Sequence, residues 1–376
     1  MSEPAARPRK SCHLAWHVTH RCNRACLHCL RRTPGQAQAD LSHEACVRVL
    51  ESFIQFAKDT DRDASVEFSG GNPLLREDFY ELLRRVHHYR RAGIVRRIRI
   101  LGNPETLTPE NVAALKAAEV DTFCLSIDGD EPTHDAVRGA GNYAAMRQGL
   151  HALVGAGIRT SMKFTLMRRN ADQLVDALKL SFGEGAHSFG VGPMMTTGGG
   201  GEIRDEALAP LEYREVLLRL VRFLDGEGQA TPAIRQRFFT QGGLYPLLYH
   251  ELGRLDDYRA RAALRHGEGP QPHRGGNVLF VVWSDGEVVL RRDMSRVGWV
   301  PRDSFAEIYA HSPLLHLLED GEALRRLARQ EQAHDVACSA CPVNDLCQPG
   351  LVSTFNSQFF FAPNRLCWRR AQTATA

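Results

Sequence analysis

The feature that most constrains this chain is an alternation of two periods. Over residues 13–193, short apolar runs alternate with longer segments whose apolar residues recur at three and four. The short runs are HLAWHVT (13–19), SVEFSG (65–70), RRIRIL (96–101), TFCLSID (122–128), RTSMKFTL (159–166) and HSFGVGP (187–193), all of strand length. Between them, residues 42–59, 76–93, 108–120, 143–157 and 170–185 read as helices; the first opens on the capping residue Ser42. Strand and helix alternating in this way specify an α/β fold, a parallel sheet with helices outside it. A closed barrel needs eight such repeats, so the expectation is a partial, (β/α)6 TIM-type barrel with its chemistry at the C-terminal ends of the strands. The full 376 residues accommodate that barrel and a smaller unit after it.

The alternation stops at MMTTGGGGE (194–202). A mostly helical stretch, 206–264, and a Gly/Pro-rich linker, 265–276, follow. NVLFVVWSDGEVVLRRD (277–293) reads as a hairpin turning at Asp285-Gly286, and the rest as a small loop-rich unit. A net charge of +3 gives no reason to expect a polyanionic partner, so nucleic acid is not expected. The basic stretch Arg84, Arg85, Arg90, Arg91, Arg96, Arg97 and Arg99 reads as a solvated outer face, away from the strand ends. No apolar run is long enough to cross a membrane and no signal peptide is evident, so a cytoplasmic location is expected.

Ten cysteines are many for a reducing compartment, where clustered thiols bind metal or do chemistry. Cys12, Cys46 and Cys124 are scattered and read as small buried side chains. Cys22, Cys26 and Cys29 share the loop CNRACLHC; Cys338, Cys341, Cys347 and Cys367 group near the end. A [4Fe–4S] cluster takes one thiolate per iron. Three thiolates therefore leave one iron with an open position, as catalytic metal sites do. The alternative is a zinc centre completed by His20 or His28. The loop follows the first strand and so belongs at the mouth of the barrel.

CNRACLHC resembles the cluster loop of the radical S-adenosylmethionine (radical SAM) superfamily. Other strand ends carry the same resemblance. SGGNP (69–73) is similar to the Gly-Gly-x-Pro segment whose backbone receives the methionine amino group, with Asn72 where Glu is commoner. Asn103 stands where the family often has Asn, and SIDG (126–129) resembles its Ser-x-Asp-Gly. THDAVRG (133–139) matches the His-x-x-x-Arg-Gly that often follows. The resemblance implies S-adenosylmethionine contacts at Gly70, Gly71, Asn72, Asn103, Ser126, Asp128 and Arg138, with His28 beside the adenine. Arg138 would pair with the cofactor carboxylate. It also implies reductive cleavage of S-adenosylmethionine to a 5'-deoxyadenosyl radical that abstracts a substrate hydrogen atom.

The later group, CSACPVNDLC with Cys367 beyond it, closes a site by count with zinc or a [4Fe–4S] cluster. It resembles the SPASM/twitch-like extension of radical SAM enzymes, which usually carries two auxiliary clusters. Here the positions of the first cluster hold Arg291 and Leu351, and the window 270–276 offers His273 but no cysteine. The resemblance therefore implies one auxiliary [4Fe–4S] cluster on Cys338, Cys341, Cys347 and Cys367, with His273 and Asp293 as candidate ligands of a degenerate first site. It divides the chain into the partial barrel (12–202), a helical segment and linker (203–272) and the auxiliary-cluster unit (273–376). The activity it implies is modification of a ribosomal peptide by crosslinking, oxidation or epimerisation. A small-molecule or cofactor-precursor dehydrogenase or rearrangement enzyme is the alternative. A non-catalytic iron–sulfur electron carrier or scaffold is the alternative of another class. A reductant such as flavodoxin or ferredoxin is the expected partner. With the loop starting at residue 22, a peptide substrate is expected to come from a separate recognition protein.

Overall fold

The computed structural model describes residues 10–31, 39–225, 232–240, 244–264, 277–290, 296–332, 335–344, 346 and 364–373. The six expected strands follow in the expected order. Strand β1 (Ser11–Thr19) leads to α1 (His43–Asp59), β2 (Asp63–Gly70), α2 (Phe79–Arg91), β3 (Val95–Leu101) and α3 (Pro109–Ala117). Then come β4 (Thr122–Ser126), α4 (Glu131–Arg138), α5 (Asn142–Gly155), β5 (Arg159–Leu166), α6 (Leu174–Gly183) and β6 (Ser188–Pro193). Local chemistry sets several boundaries. Ser42 Oγ accepts the Ala45 N–H at 3.2 Å to start α1. Asp130 Oδ1 accepts the Thr133 N–H at 3.1 Å to start α4, which ends at Gly139 with φ +101°. Sequence periodicity does not reveal α4, because eight residues are too few to display an apolar stripe.

Each strand sends alternate residues to the helical layer. Trp16 of β1 stacks on Phe68 of β2, and Phe68 meets Phe79 of α2 edge-on at 5.4 Å. Val66, Ile98, Ile100, Phe123, Met162, Phe164 and Phe189 continue this core and are all buried. The opposite, inner face carries His17, Ser69, Arg99, Ser126 and Lys163, so the barrel interior is polar where a site is expected. Cys12, Cys46 and Cys124 are buried as read from the sequence, and burial pushes the first two thiols up to about 12.

The segment after β6 holds α7 (Gly199–Glu202), α8 (Pro210–Asp225), α9 (Pro232–Arg237), β7 (Phe238–Thr240), α10 (Tyr245–Glu251) and α11 (Leu255–Leu264). The three-residue β7 was not expected; it extends the sheet parallel to β6. The hairpin is present as β8 (Asn277–Val282) and β9 (Glu287–Val289), turning through Gly286 at φ +95°. Its pairing with the barrel sheet has no counterpart in the sequence reading. β8 lies parallel to β1, from Ser11 against Asn277 to Trp16 against Val282. With β10 (Arg296–Trp299) antiparallel to β9, the result is one ten-stranded sheet in the order β10-β9-β8-β1-β2-β3-β4-β5-β6-β7. The remaining helices are α12 (Phe305–His311), α13 (Pro313–Glu319), α14 (Gly321–Gln332), α15 (Val336–Ser339) and α16 (Trp368–Thr373). Among the described residues no helix is long and apolar enough to cross a membrane.

Candidate functional site

The three-cysteine loop leaves β1 at the C-terminal edge of the sheet. Backbone bonds fix its course: Cys29 N donates to Cys26 O at 3.1 Å and Leu27 N to Val137 O at 3.0 Å. The end of β2 supports its start. Gly71 N donates to Thr19 O and Asn72 N to Arg21 O, both at 2.8 Å. A Cβ on Gly70 would lie 2.4 Å from Thr19 O, and one on Gly71 2.1 Å from Arg21 O, so these glycines let the two backbones touch. Their close approach here is to the loop's entrance, residues 19–21.

The loop's far side rests on a segment that sequence reasoning left without a role. Gly199 N donates to Cys29 O at 2.9 Å. A Cβ on Gly198, whose φ is +58°, would meet Leu30 O at 2.4 Å, and one on Gly199 would meet Leu27 O at 2.4 Å. The glycine run after β6 is thus the floor on which the cysteine loop lies. Four consecutive glycines at a strand end were the available signal.

Side chains from the other strand ends converge on the thiols. Asn103, past β3, directs Nδ2 to Cys22 Sγ at 3.3 Å and to Asn23 Oδ1 at 2.7 Å. Asn72 is fully buried; its Nδ2 donates to Asn23 Oδ1 at 3.2 Å and to Thr106 Oγ1 at 3.1 Å, and its Oδ1 accepts from Asn103 N. Asp128, just beyond β4, is fully buried. Its Oδ2 accepts from Arg138 Nε at 2.6 Å and His28 Nε2 at 2.9 Å, and its Oδ1 from Thr165 N at 3.0 Å. Burial opposes ionisation of Asp128, but the Arg138 charge and the His28 bond outweigh it and hold the carboxyl well below the usual range. Arg138 Nη1 lies 3.9 Å from Cys26 Sγ. Burial raises the Cys26 thiol and Arg138 opposes that shift, while Cys29 and Cys22 add to it.

A cleft of about 230 Å³ opens beside this group, lined by Arg24, Cys26, Asn103, Ser126, Arg138 and Asn142. The structure therefore brings Ser126, Asn103 and Arg138 to one cavity wall with Cys26. It turns His28 onto Asp128 and Asn72 into the loop's support. Three soft thiols on one loop, with an amide donor at Cys22 and a guanidinium at Cys26, fit an iron–sulfur cluster, whose sulfur ligands carry negative charge. Among the described residues no three His, Cys, Asp or Glu side chains converge as a single ion would need, whereas cluster thiolates bind separate irons. His20, a candidate zinc ligand in the sequence, contacts Arg31.

In the C-terminal group, Cys338, Cys341 and Cys367 line one hollow of about 380 Å³ with Leu244, Val343 and Arg370. Burial pushes the Cys338 thiol up to about 12, with Asp335 adding to the effect. Cys347 lies outside the described residues, as do His273, Arg291, Asp293 and Leu351. The segment carrying Cys367 is fastened to the barrel: Arg365 Nη2 donates to Met194 O at 2.6 Å and Nη1 to Thr196 Oγ1 at 3.0 Å.

A family model described as the radical SAM superfamily matches residues 16–181. The chain carries a radical SAM domain. That domain implies a [4Fe–4S] cluster and S-adenosylmethionine. The AdoMet-dependent heme synthase of Nitratidesulfovibrio vulgaris is 32% identical over 211 residues, 54% of this chain and 54% of that protein. The mycofactocin maturase MftC of Mycobacterium ulcerans is 29% identical over 209 residues, 54% of this chain and 53% of the maturase. The chain thus spans about half the length of the curated relatives it matches. Among solved structures, Streptococcus suis SuiB bound to precursor peptide SuiA has a TM-score of 0.68 at 14% identity, over 95% of this chain and 76% of that one. The anSMEcpe structure with bound AdoMet also scores 0.68, at 16% identity, over 97% of this chain and 95% of the other. At such identities the likeness is one of fold: the radical SAM domain sits in a partial TIM-type barrel.

Proposed function

We propose that this chain cleaves S-adenosylmethionine reductively and uses the resulting radical to abstract a hydrogen atom from a ribosomal peptide, yielding a crosslinked, oxidised or epimerised product. The observation that carries the reading is the three-thiol loop at the sheet's C-terminal edge, beside a cleft lined by Asn103, Ser126 and Arg138. A cluster held by Cys22, Cys26 and Cys29 would supply an open iron and one electron to the bound sulfonium. The chain's own residues bind and orient. Asn103 and Arg138 direct N–H donors at Cys22 and Cys26 and so stabilise thiolate charge. Asp128 fixes the Arg138 plane, so the guanidinium edge toward the cleft is set for a carboxylate. Gly70 and Gly71 keep the β2 end close to the loop, and Ser126 offers a hydroxyl to the cleft.

Peptide modification is favoured because MftC is named a maturase and SuiB was solved with a precursor peptide. The heme synthase relatives favour a second reading, chemistry on a tetrapyrrole-like cofactor precursor. The three-part division at 202 and 272, the auxiliary cluster on Cys338, Cys341, Cys347 and Cys367, a flavodoxin- or ferredoxin-type reductant, a separate peptide-recognition protein and a cytoplasmic location belong to the same proposal.

The test is anaerobic reconstitution with iron and sulfide, then incubation with dithionite and S-adenosylmethionine. Release of 5'-deoxyadenosine, followed by mass spectrometry, is expected from the wild-type chain and absent when Cys22, Cys26 and Cys29 are replaced by alanine. A reconstituted cluster that yields none would make the chain an electron carrier or scaffold.

A further inference from the structure

We infer that Glu105 is a positioning residue: its carboxylate latches Asn23 and Arg24 of the cysteine loop to the ends of β3 and α5, and thereby holds Cys22 and Cys26 in register. The inference rests on the cofactor reading of that loop.

Glu105 follows β3 in the turn Pro104–Thr106. Its Oε2 accepts from Asn23 Nδ2 at 3.2 Å. Its Oε1 accepts from Asn142 Nδ2 at 2.5 Å and from Arg24 Nη2. Asn23 and Arg24 are the residues between Cys22 and Cys26 that carry side-chain donors, and both are tied to this one carboxylate. The orientation of Asn142 is itself fixed. Asp128 N, a backbone donor, points at His134 Nδ1 at 3.1 Å, so that nitrogen carries no proton. The proton is then on Nε2, which donates to Asn142 Oδ1 at 2.8 Å. Asn142 is left to present its amide nitrogen to position 105, which must be an acceptor on both oxygens.

The bonds form a circuit. From Cys22 it runs through Asn103 and Asn23 to Glu105, on through Asn142 and His134 to Asp128, and back through Arg138 to Cys26. Two thiols of one loop are thereby referred to the ends of β3 and β4 and to the helices α4 and α5. Arg24 and Glu105 are each mostly shielded, with side chains 19% and 24% exposed, so their bond is charge-assisted and little screened. Glutamine at this position would set its amide nitrogen against a donor in either orientation. Aspartate keeps two acceptors but falls one methylene short.

The experiment compares the full-length wild-type chain, E105Q and E105D, purified anaerobically without added iron. Each is pulse-labelled with iodoacetamide, and every cysteine peptide is quantified by mass spectrometry. Cys26 is 9% exposed and reports the loop; Cys124 is 3% exposed and reports the barrel. The expected result is Cys26 labelling about tenfold faster in E105Q, the scale of one lost charge-assisted bond acting on a local opening, with E105D in between and Cys124 unchanged. Labelling of Cys26 at the wild-type rate in E105Q overturns the latch. So does acceleration of Cys26 and Cys124 together, which is general loosening. Labelling is read before any cluster is built. A chain that then fails to take up a cluster sinks the cofactor reading and leaves the labelling result standing.

Discussion

Asp128 combines complete burial with three donors, and this determines what its replacement does. Arg138 and His28 address one oxygen and the Thr165 N–H the other. Asparagine is nearly the same size, but either orientation of its amide sets an N–H against a donor. It also leaves the Arg138 guanidinium without its counter-charge in a buried place. Breaking a buried pair from one side costs about 3–5 kcal/mol, so D128N should lose that much in urea unfolding. A loss below about 1 kcal/mol, the scale of an exposed pair, would mean that water reaches this carboxylate. The neighbouring Asn72 marks where sequence reading stopped. Its place in a Gly-Gly-x-Pro segment was legible, because four adjacent residues carry the signal. Its partners, Asn23 and Thr106, are 49 and 34 residues away, so its role as a brace beneath the loop was not. Glu105 was hidden in the same way, since nothing local distinguishes a latch from a turn carboxylate.

At the scale of elements, the helices after the hairpin are tied to the barrel's other end by one carboxylate. Glu319 closes α13 and accepts from Arg62 Nη2 at 2.7 Å, Lys10 Nζ at 3.0 Å and the Tyr309 hydroxyl. Lys10 precedes β1 and Arg62 precedes β2, so the contact fastens α13 to the N-terminal ends of two central strands. Burial raises the Glu319 carboxyl, but its three donors bring it from 4.5 down to about 2. A carboxyl lowered on folding stabilises the native state above its unfolded value of about 4.3, and the contribution fades as pH falls through the folded value. E319Q should therefore be less stable than wild type by about 3 kcal/mol at pH ~7, the gap closing as the pH approaches ~2. An equal gap at both ends of that range would assign the effect to packing rather than charge. The same elements show what local pattern can reach. The six strands from β1 to β6 and the helices between them, short α4 excepted, were legible, because apolar alternation is a property of neighbouring residues. That β8 lies beside β1 was not, since Cys12 pairs with Val278 across the length of the barrel, and no window contains both. Three-residue β7 is too short to carry a period at all.

For the whole molecule, the question is whether one chain holds two metal clusters of different kinds. The first loop has three cysteines and an adjoining cleft; the last group has four, three of which line a hollow walled by Leu244 and Val343. Four thiolates saturate a [4Fe–4S] cluster and leave nothing for a ligand, so a second cluster of the kind proposed would be suited to passing electrons or to holding its own segment together. Arg365 places that segment against Met194 and Thr196, just before the glycines on which the first loop rests. The two cysteine groups therefore share a support, and a change at one is testable at the other. Wild-type chain reconstituted anaerobically should carry about eight irons, four per cluster, and C338A/C341A about four. The variant should still release 5'-deoxyadenosine, because its open site is intact, while turnover of the true substrate falls. Wild type with about four irons and one zinc would make the C-terminal group a structural zinc site. Loss of all iron in C338A/C341A would mean that the glycine floor, and with it the first loop, depends on the second centre for its shape.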